Sequence, residues 1–285
     1  MDLSVGIIGY GKLGSAFSRE LNKHNLLKWV VCMNNSQNNE LNNIPFFNSL
    51  NQIKSIPDII LMTVQDSKLS SLVDDLVNSD LDFSNTIIAH CSGFLRIDIL
   101  QKLREKNALI ASIHPFQTFY NNNETNFKGI FYGIECDEIA KIKINKLIQS
   151  IDGNPFFFND DNIKFKEFYH LSAVAVSNFL TPILQLGRDF ANLSGINPND
   201  FFLPIINQTI ENNLSAFQSG DFPLTGTISR GDTNAYLIHL NKLNSYPHQK
   251  QIFKHLSLAT IHSAYYNNII NEETYKKFIK ISEEN

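Results

Sequence analysis

Cysteine is scarce in this chain: Cys32, Cys91 and Cys136 are the three present in 285 residues. Odd in number and far apart, they form no disulfide framework and suit a reducing cytoplasm. An excess of one charge is also missing. Lys and Arg number 24 against 28 Asp and Glu, a net −4, which leaves no electrostatic footprint for nucleic acid or an anionic membrane. No apolar run approaches the ~20 residues that span a bilayer. The opening Met1-Asp2-Leu3-Ser4-Val5-Gly6 has no basic stretch before its apolar residues, so it reads as a strand and not as a signal peptide. The expectation is a cytoplasmic protein with neither nucleic acid nor membrane as partner. A hydrophobic share of 43% is that of an ordinary globular protein, and the length suits two domains better than one.

What is present is an alternation of short apolar runs and helical patterns. Leu3 to Ile8 predicts a buried strand, Leu13, Ala16, Phe17 and Leu21 recur at helical spacing, and Trp29 to Met33 predicts a second strand. Further strands are expected at 58–64, 86–90, 109–113, 129–134 and 156–158, with helices at 69–76, 97–106 and 139–150. That order predicts an α/β fold with a doubly wound, mostly parallel Rossmann-type sheet. From about residue 160 the pattern is helical throughout. One long stretch runs from Lys164 to Ser194, and others follow near 199–218, 233–243, 247–267 and 272–282. The expected organisation is a dinucleotide-binding domain over 1–159 and an all-helical domain over 160–285. The asparagine-rich segments at 34–43 and 121–126 read as solvated loops.

Gly9-Tyr10-Gly11-Lys12-Leu13-Gly14 lies between the first strand and the first helix. In that place Gly9 permits the tight turn, Gly11 lets backbone approach a pyrophosphate, and Gly14 lets helix pack on sheet. The helix N-terminus then offers its free amides to phosphate. A glycine turn that binds nothing is the bland alternative, and the strand–turn–helix–strand context argues against it. NAD-binding units usually carry Asp or Glu at the end of the second strand. Here Asn34, Asn35 and Ser36 occupy that region, with no acid before Glu40. The absence of an acid permits a 2′-phosphate and points to NADP, with Lys12 as a source of charge; NAD remains possible.

Polar residues also gather at the ends of successive strands: Thr63-Val64-Gln65, His90-Cys91-Ser92-Gly93 and His114-Pro115-Phe116-Gln117. Ligands bind at that edge of open α/β sheets. Thr63, Val64, Gln65 and Ser92 are candidates for cofactor contact and His114 for substrate. Ordinary turn chemistry is the competing account for each, and His90 reads as a satisfied core group. No ligand-spaced partner for His90 or Cys91 is evident, so no metal is expected. In the helical half, His170, Ser177 and Asn178 fall near one face. His170 could serve as a general acid toward a carbonyl, with Asn178 orienting the substrate; close helix packing would use the same small residues. In Leu224-Thr225-Gly226-Thr227-Ile228-Ser229-Arg230-Gly231-Asp232, Arg230 could bind a substrate carboxylate. Pairing of Arg230 with an internal acid is equally open, and Asp232 is placed to cap the following helix.

Taken together, Gly9 to Gly14, His90-Cys91-Ser92-Gly93, Ser112 to Phe119, Tyr169-His170 with Ser177-Asn178, and Leu224-Thr225-Gly226 with Arg230-Gly231-Asp232 make the chain resemble a family. It is similar to the Rossmann-like proteins that carry the domain of unknown function DUF2520, relatives of the coenzyme F420-dependent NADP oxidoreductase and pyrroline-5-carboxylate reductase group. The resemblance implies a helical C-terminal domain like that of 6-phosphogluconate dehydrogenase, through which the chain forms a homodimer. It also implies a small-molecule substrate in an interdomain cleft, and Ser177, Arg230 and Asp232 as substrate-side residues. Two departures stand out: relatives often carry Arg where this chain has Asn34 and Asn35, and the wider dehydrogenase group uses a helical Lys one turn before Asn, where Val174 stands here. The function expected is NADP-dependent reduction of a small carbonyl, imine or hydroxyacid-type compound. The alternatives are a non-catalytic NADP(H) sensor and, on the fold alone, an S-adenosylmethionine methyltransferase.

Overall fold

The computed structural model describes residues 3–32, 41, 43–120 and 125–285, which divide into two compact units, Met1–Asn178 and Phe179–Asn285. The first unit is built on an eight-stranded sheet. Its strands are β1 (Val5–Ile8), β2 (Leu27–Val31), β3 (Phe46–Phe47), β4 (Ile59–Met62), β5 (Ile87–His90), β6 (Leu109–Pro115), β7 (Phe131–Cys136) and β8 (Asn154–Phe157). Their order is β3-β2-β1-β4-β5-β6-β7-β8. The first six run parallel, β7 is antiparallel to β6, and β8 is parallel to β7. The order reverses between β1 and β4, which makes the carboxyl end of β1 the switch point of the sheet.

The buried runs form strands because both sheet faces are covered. On one face Val5, Ile7 and Tyr132 pack with Phe17 and Leu21 of α1 (Lys12–Lys23) and with Ile144, Leu147 and Ile148 of α3 (Lys141–Ser150). On the other, Ile8, Trp29 and Met62 meet Leu69, Leu72, Val73 and Leu76 of α2 (Asp66–Val77). β3, two residues long, carries too little apolar sequence to be read in advance. Ile97–Lys106 winds as a 3-10 segment that ends on Asn107 in the left-handed conformation.

The long helical pattern after residue 160 is interrupted. α4 covers Lys166–Ala173, Val174–Asn178 forms a π-turn, and α5 covers Leu180–Leu193. The change of sequence character at residue 160 and the division into compact units therefore lie at different places: α4 is tied by its side chains to the sheet. The second unit consists of α5 with α6 (Pro198–Ser219), α7 (Thr233–Lys242), α8 (Pro247–Tyr266) and α9 (Glu272–Glu284). Tyr236, Leu240, Ile261, Ala264, Ile270 and Phe278 make its core. Asp232 caps α7 by accepting from the Ala235 amide at 2.9 Å, as the sequence indicates.

Candidate active site

The glycine loop lies at the switch point. Gly9 has φ +106°, a conformation closed to most side chains. Its carbonyl accepts from Thr63 Oγ1 at 2.9 Å, so the end of β4 is fastened to the loop. A Cβ on Gly14 would collide with the Gly9 carbonyl oxygen and with Thr63 Oγ1. Gly14 is thus the point of closest approach between α1 and the sheet. Gly11, by contrast, faces open space, with nothing within 4 Å of where a Cβ would stand. The first turn of α1 has neither a side-chain cap nor an acidic residue, so its amides and partial positive charge face the open side of the loop. Tyr10 packs edge-on against Phe46, Leu13 leans on the core, and Lys12 extends its ammonium 5.1 Å above the Tyr120 ring.

Thr63, Val64 and Gln65 follow β4, with Gln65 at the N-cap of α2. Ser92 is buried; its hydroxyl donates to Asp66 Oδ2 at 2.8 Å and accepts from the Leu95 amide. Asn34, Asn35 and Ser36 lie outside the described residues.

At the carboxyl ends of β5 and β6 the three histidines of this unit's edge take distinct roles. His90 is wholly buried. Its Nδ1 accepts from the Ser92 amide at 3.2 Å and its Nε2 faces the Arg96 carbonyl at 3.3 Å, so the proton resides on Nε2 and the ring ties the 90–96 turn together. Burial, reinforced by the nearby Lys166 charge, pushes its pKa down to about 3. His114 places Nδ1 3.0 Å from the Tyr169 hydroxyl. Burial, with the His170 and Lys166 charges adding to it, pushes the His114 pKa down to about 4. The Tyr169 phenol is pushed up to about 12 by burial. His170 Nδ1 is buried and has no hydrogen-bond partner among the described residues.

Two glycines make this convergence possible. A Cβ on Gly93 would strike both His170 Nδ1 and His114 Nε2, and one on Gly133 of β7 would strike the Tyr169 hydroxyl. Both imidazoles therefore rest on the bare Gly93 backbone. Phe94, Phe116 and Phe158 surround the cluster, with ring centroids 5.1–6.0 Å from His170 or Tyr169.

Because the folded histidines hold their protons more weakly than the unfolded ones do, the unfolded chain takes up protons first as pH falls. Stability from His90 and His114 is complete above about pH 6.5 and declines below it. The expected slope approaches ~1.4 kcal/mol per pH unit for each histidine, and continues down to the folded values near 4 and 3. Urea unfolding between pH 7.5 and 4.5 measures this, and His90→Gln should flatten the slope.

The sequence did not single out Lys166, Glu135, Gly133 or Arg96 as part of this region. One sign was available: Glu135 is the one acid within the apolar strand Phe131–Cys136. Of the other expected site residues, Ser177 and Asn178 belong to the π-turn, which alters the α-helical spacing that related them to His170. Arg230 and Asp232 lie in the second unit. Asp232 serves as a cap, and exposed Arg230 has no ion pair among the described residues. That unit also holds an open cavity of about 290 Å³ lined by Thr209, Asn212, Asn213 and Phe222 to Thr225. Among the described residues no helix is long and apolar enough to cross a membrane.

Sheet order and glycine loop define the first unit as a Rossmann-type domain, and the second unit is helical. Residues 1–115 match the Rossmann-like domain and residues 130–260 match the domain of unknown function DUF2520. No curated protein matches it in sequence. Among solved structures, a candidate NADP oxidoreductase from Bacteroides fragilis is 20% identical with a TM-score of 0.74, over 90% of this chain and 97% of that one. An imine reductase from Pseudomonas sp. is 14% identical, TM-score 0.66, over 99% of each chain. A reductive aminase from Aspergillus terreus, solved with NADPH and ethyl-5-oxohexanoate, is 10% identical, TM-score 0.62, over 100% of this chain and 93% of that one. Likeness at these identities establishes the shared fold.

Proposed function

We propose that this protein is an NADP(H)-dependent oxidoreductase acting on a small carbonyl or imine compound. One observation carries the reading: an open glycine loop at the switch point and a converging pair of imidazoles occupy the same carboxyl edge of one sheet. The Gly11 face and the α1 amides fit a pyrophosphate, and Lys12 offers a cation beside them. Thr63, Val64, Gln65 and Ser92 belong to the same edge and form the rest of the dinucleotide cradle. The NADPH-bound aminase and the NADP oxidoreductase among the structural relatives favour NADP over NAD. When bound, the nicotinamide supplies the hydride.

The chain's own residues orient the substrate and move the proton. His114 is neutral near pH 7, and its imidazole can hydrogen-bond a substrate oxygen or nitrogen. His170, whose Nδ1 has no partner among the described residues, gives the proton to the reduced substrate. Ser177, Asn178, Arg230 and Asp232 enter as substrate-side residues through the family resemblance. We place the protein in the cytoplasm, in keeping with cysteines that are few and far apart in the sequence. A homodimer through the helical unit is supported by Phe201, Leu203, Ile205, Ile210, Leu214 and Phe217 of α6, all exposed, an apolar surface of the kind that marks an interface.

Titration with NADPH and NADH, followed by a panel of aldehydes, ketones and cyclic imines monitored at the NADPH absorbance, tests the proposal. Tighter binding of NADPH and its oxidation by at least one compound class are expected. Binding without turnover across the panel would favour the sensor reading, to which the enclosure of Lys166, the lysine of α4 nearest the imidazoles in sequence, lends some weight. Light scattering should give twice the chain mass.

A further inference from the structure

Lys166 begins α4 and has no exposed surface. Its ammonium donates to the Leu95 carbonyl at 2.5 Å and to Ser112 Oγ at 2.8 Å, and lies 3.3 Å from Glu135 Oε2. Glu135 in turn accepts from Arg96 Nε at 2.7 Å and from the Ile97 amide at 3.2 Å. An apolar residue would enter this position at less cost, since burying a charge is expensive and a buried ion pair is weak evidence for stability. What the lysine accomplishes is geometric. Leu95 belongs to the turn that carries Gly93, Ser112 precedes His114 by two residues on β6, and Glu135 follows Gly133 by two on β7. All three pieces on which the imidazole–phenol cluster rests are thus joined to one atom. Tyr169 and His170 stand three and four residues further along α4, on the next turn.

We propose that Lys166, with Glu135 as its counterion, is a positioning residue that locks the Gly93 turn, β6 and β7 to α4 and so sets Tyr169 and His170 in register against His114. The proposal rests on the reductase reading for its purpose, but its test does not depend on turnover. The titratable and charged groups facing His114 are Tyr169, His170 and Lys166 from α4 and His90 from β5. Burial lowers the Lys166 pKa while the Glu135 carboxylate beside it favours the charged amine; Glu135 on β7 pairs with it and with Arg96.

Lys166→Met and the charge-balanced Lys166→Met/Glu135→Gln are compared with the wild-type protein by histidine-ring NMR and by NADPH titration. In Lys166→Met the midpoint of His114 is expected to rise, because a nearby positive charge no longer opposes its protonation. The close contact between the His114 and Tyr169 rings is expected to weaken in both variants, with NADPH affinity changed less than twofold. A folded variant that keeps the His114 midpoint and the ring contact overturns the proposal. Failure of both variants to fold overturns it equally, since Lys166 would then serve the fold and not the cluster. If wild-type protein fails to bind NADPH, the reductase reading falls, while the ring measurements still decide the role of Lys166.

Discussion

Gly11→Val should leave the protein folded and cost it at least ~100-fold in NADPH affinity, about 2.7 kcal/mol. The asymmetry follows from the two ends of the loop. Gly11 has φ −76° at the N-cap of α1, a value any residue adopts, and open space where its side chain would go. A valine there is a poorer cap than glycine and should cost about 1 kcal/mol of stability or less. Yet it would place a branched side chain on the face where the pyrophosphate must touch backbone. Gly14→Val is the contrasting case. Its side chain would drive into the Gly9 carbonyl and break the 2.9 Å bond from Thr63, so folding and binding should be lost together. Calorimetric titration with NADPH alongside thermal unfolding separates the two effects. Unchanged NADPH affinity in folded Gly11→Val would show that the dinucleotide does not lie on this loop.

His170→Ala should lower kcat by 10²- to 10⁴-fold, the usual contribution of a positioned acid or base, and leave NADPH affinity within about twofold. The proposed role accounts for its setting: among the described residues its Nδ1 is buried with no partner, a state that costs free energy. Removing it also removes a neighbouring charge that opposes protonation of His114. The His114 midpoint should therefore climb toward the ordinary 6.5, and any residual activity should lose its acid limb at higher pH than in the wild type. Steady-state rates over pH 5–8, with whichever substrate of the panel is reduced, measure both effects. Equal kcat in the variant would assign the proton to water or to another group.

How much of this could be read in advance depended on the distance along the chain over which each feature is decided. The glycine loop, the helix of Ala16, Phe17 and Leu21, and the Asp232 cap are set by residues a few positions apart, so periodicity and turn chemistry reveal them. The structural-core role of His90 was legible for the same reason, since its partners Ser92 and Arg96 are close by. Boundaries shifted by a residue or two where capping was irregular, and β3 was too short to leave a pattern.

The sequence by itself determined that a βαβ unit opens the chain, that a parallel sheet with helices on both faces follows, and that a helical unit completes it. These depend on which residues are apolar and at what period. Only the tertiary structure decided that β7 runs against β6, that the π-turn at Val174–Asn178 interrupts the long helix, and that Lys166 meets Glu135. It also decided that Gly93 and Gly133, unremarkable as letters, are the two bare surfaces on which His114, Tyr169 and His170 come together. The reason is physical: Lys166 and Ser112 lie 54 residues apart and Lys166 and Glu135 lie 31 apart. No local preference selects such pairs; they are chosen by the packing of the whole sheet unit, where a buried charge must find its partner and a bulky ring must find a residue without a side chain.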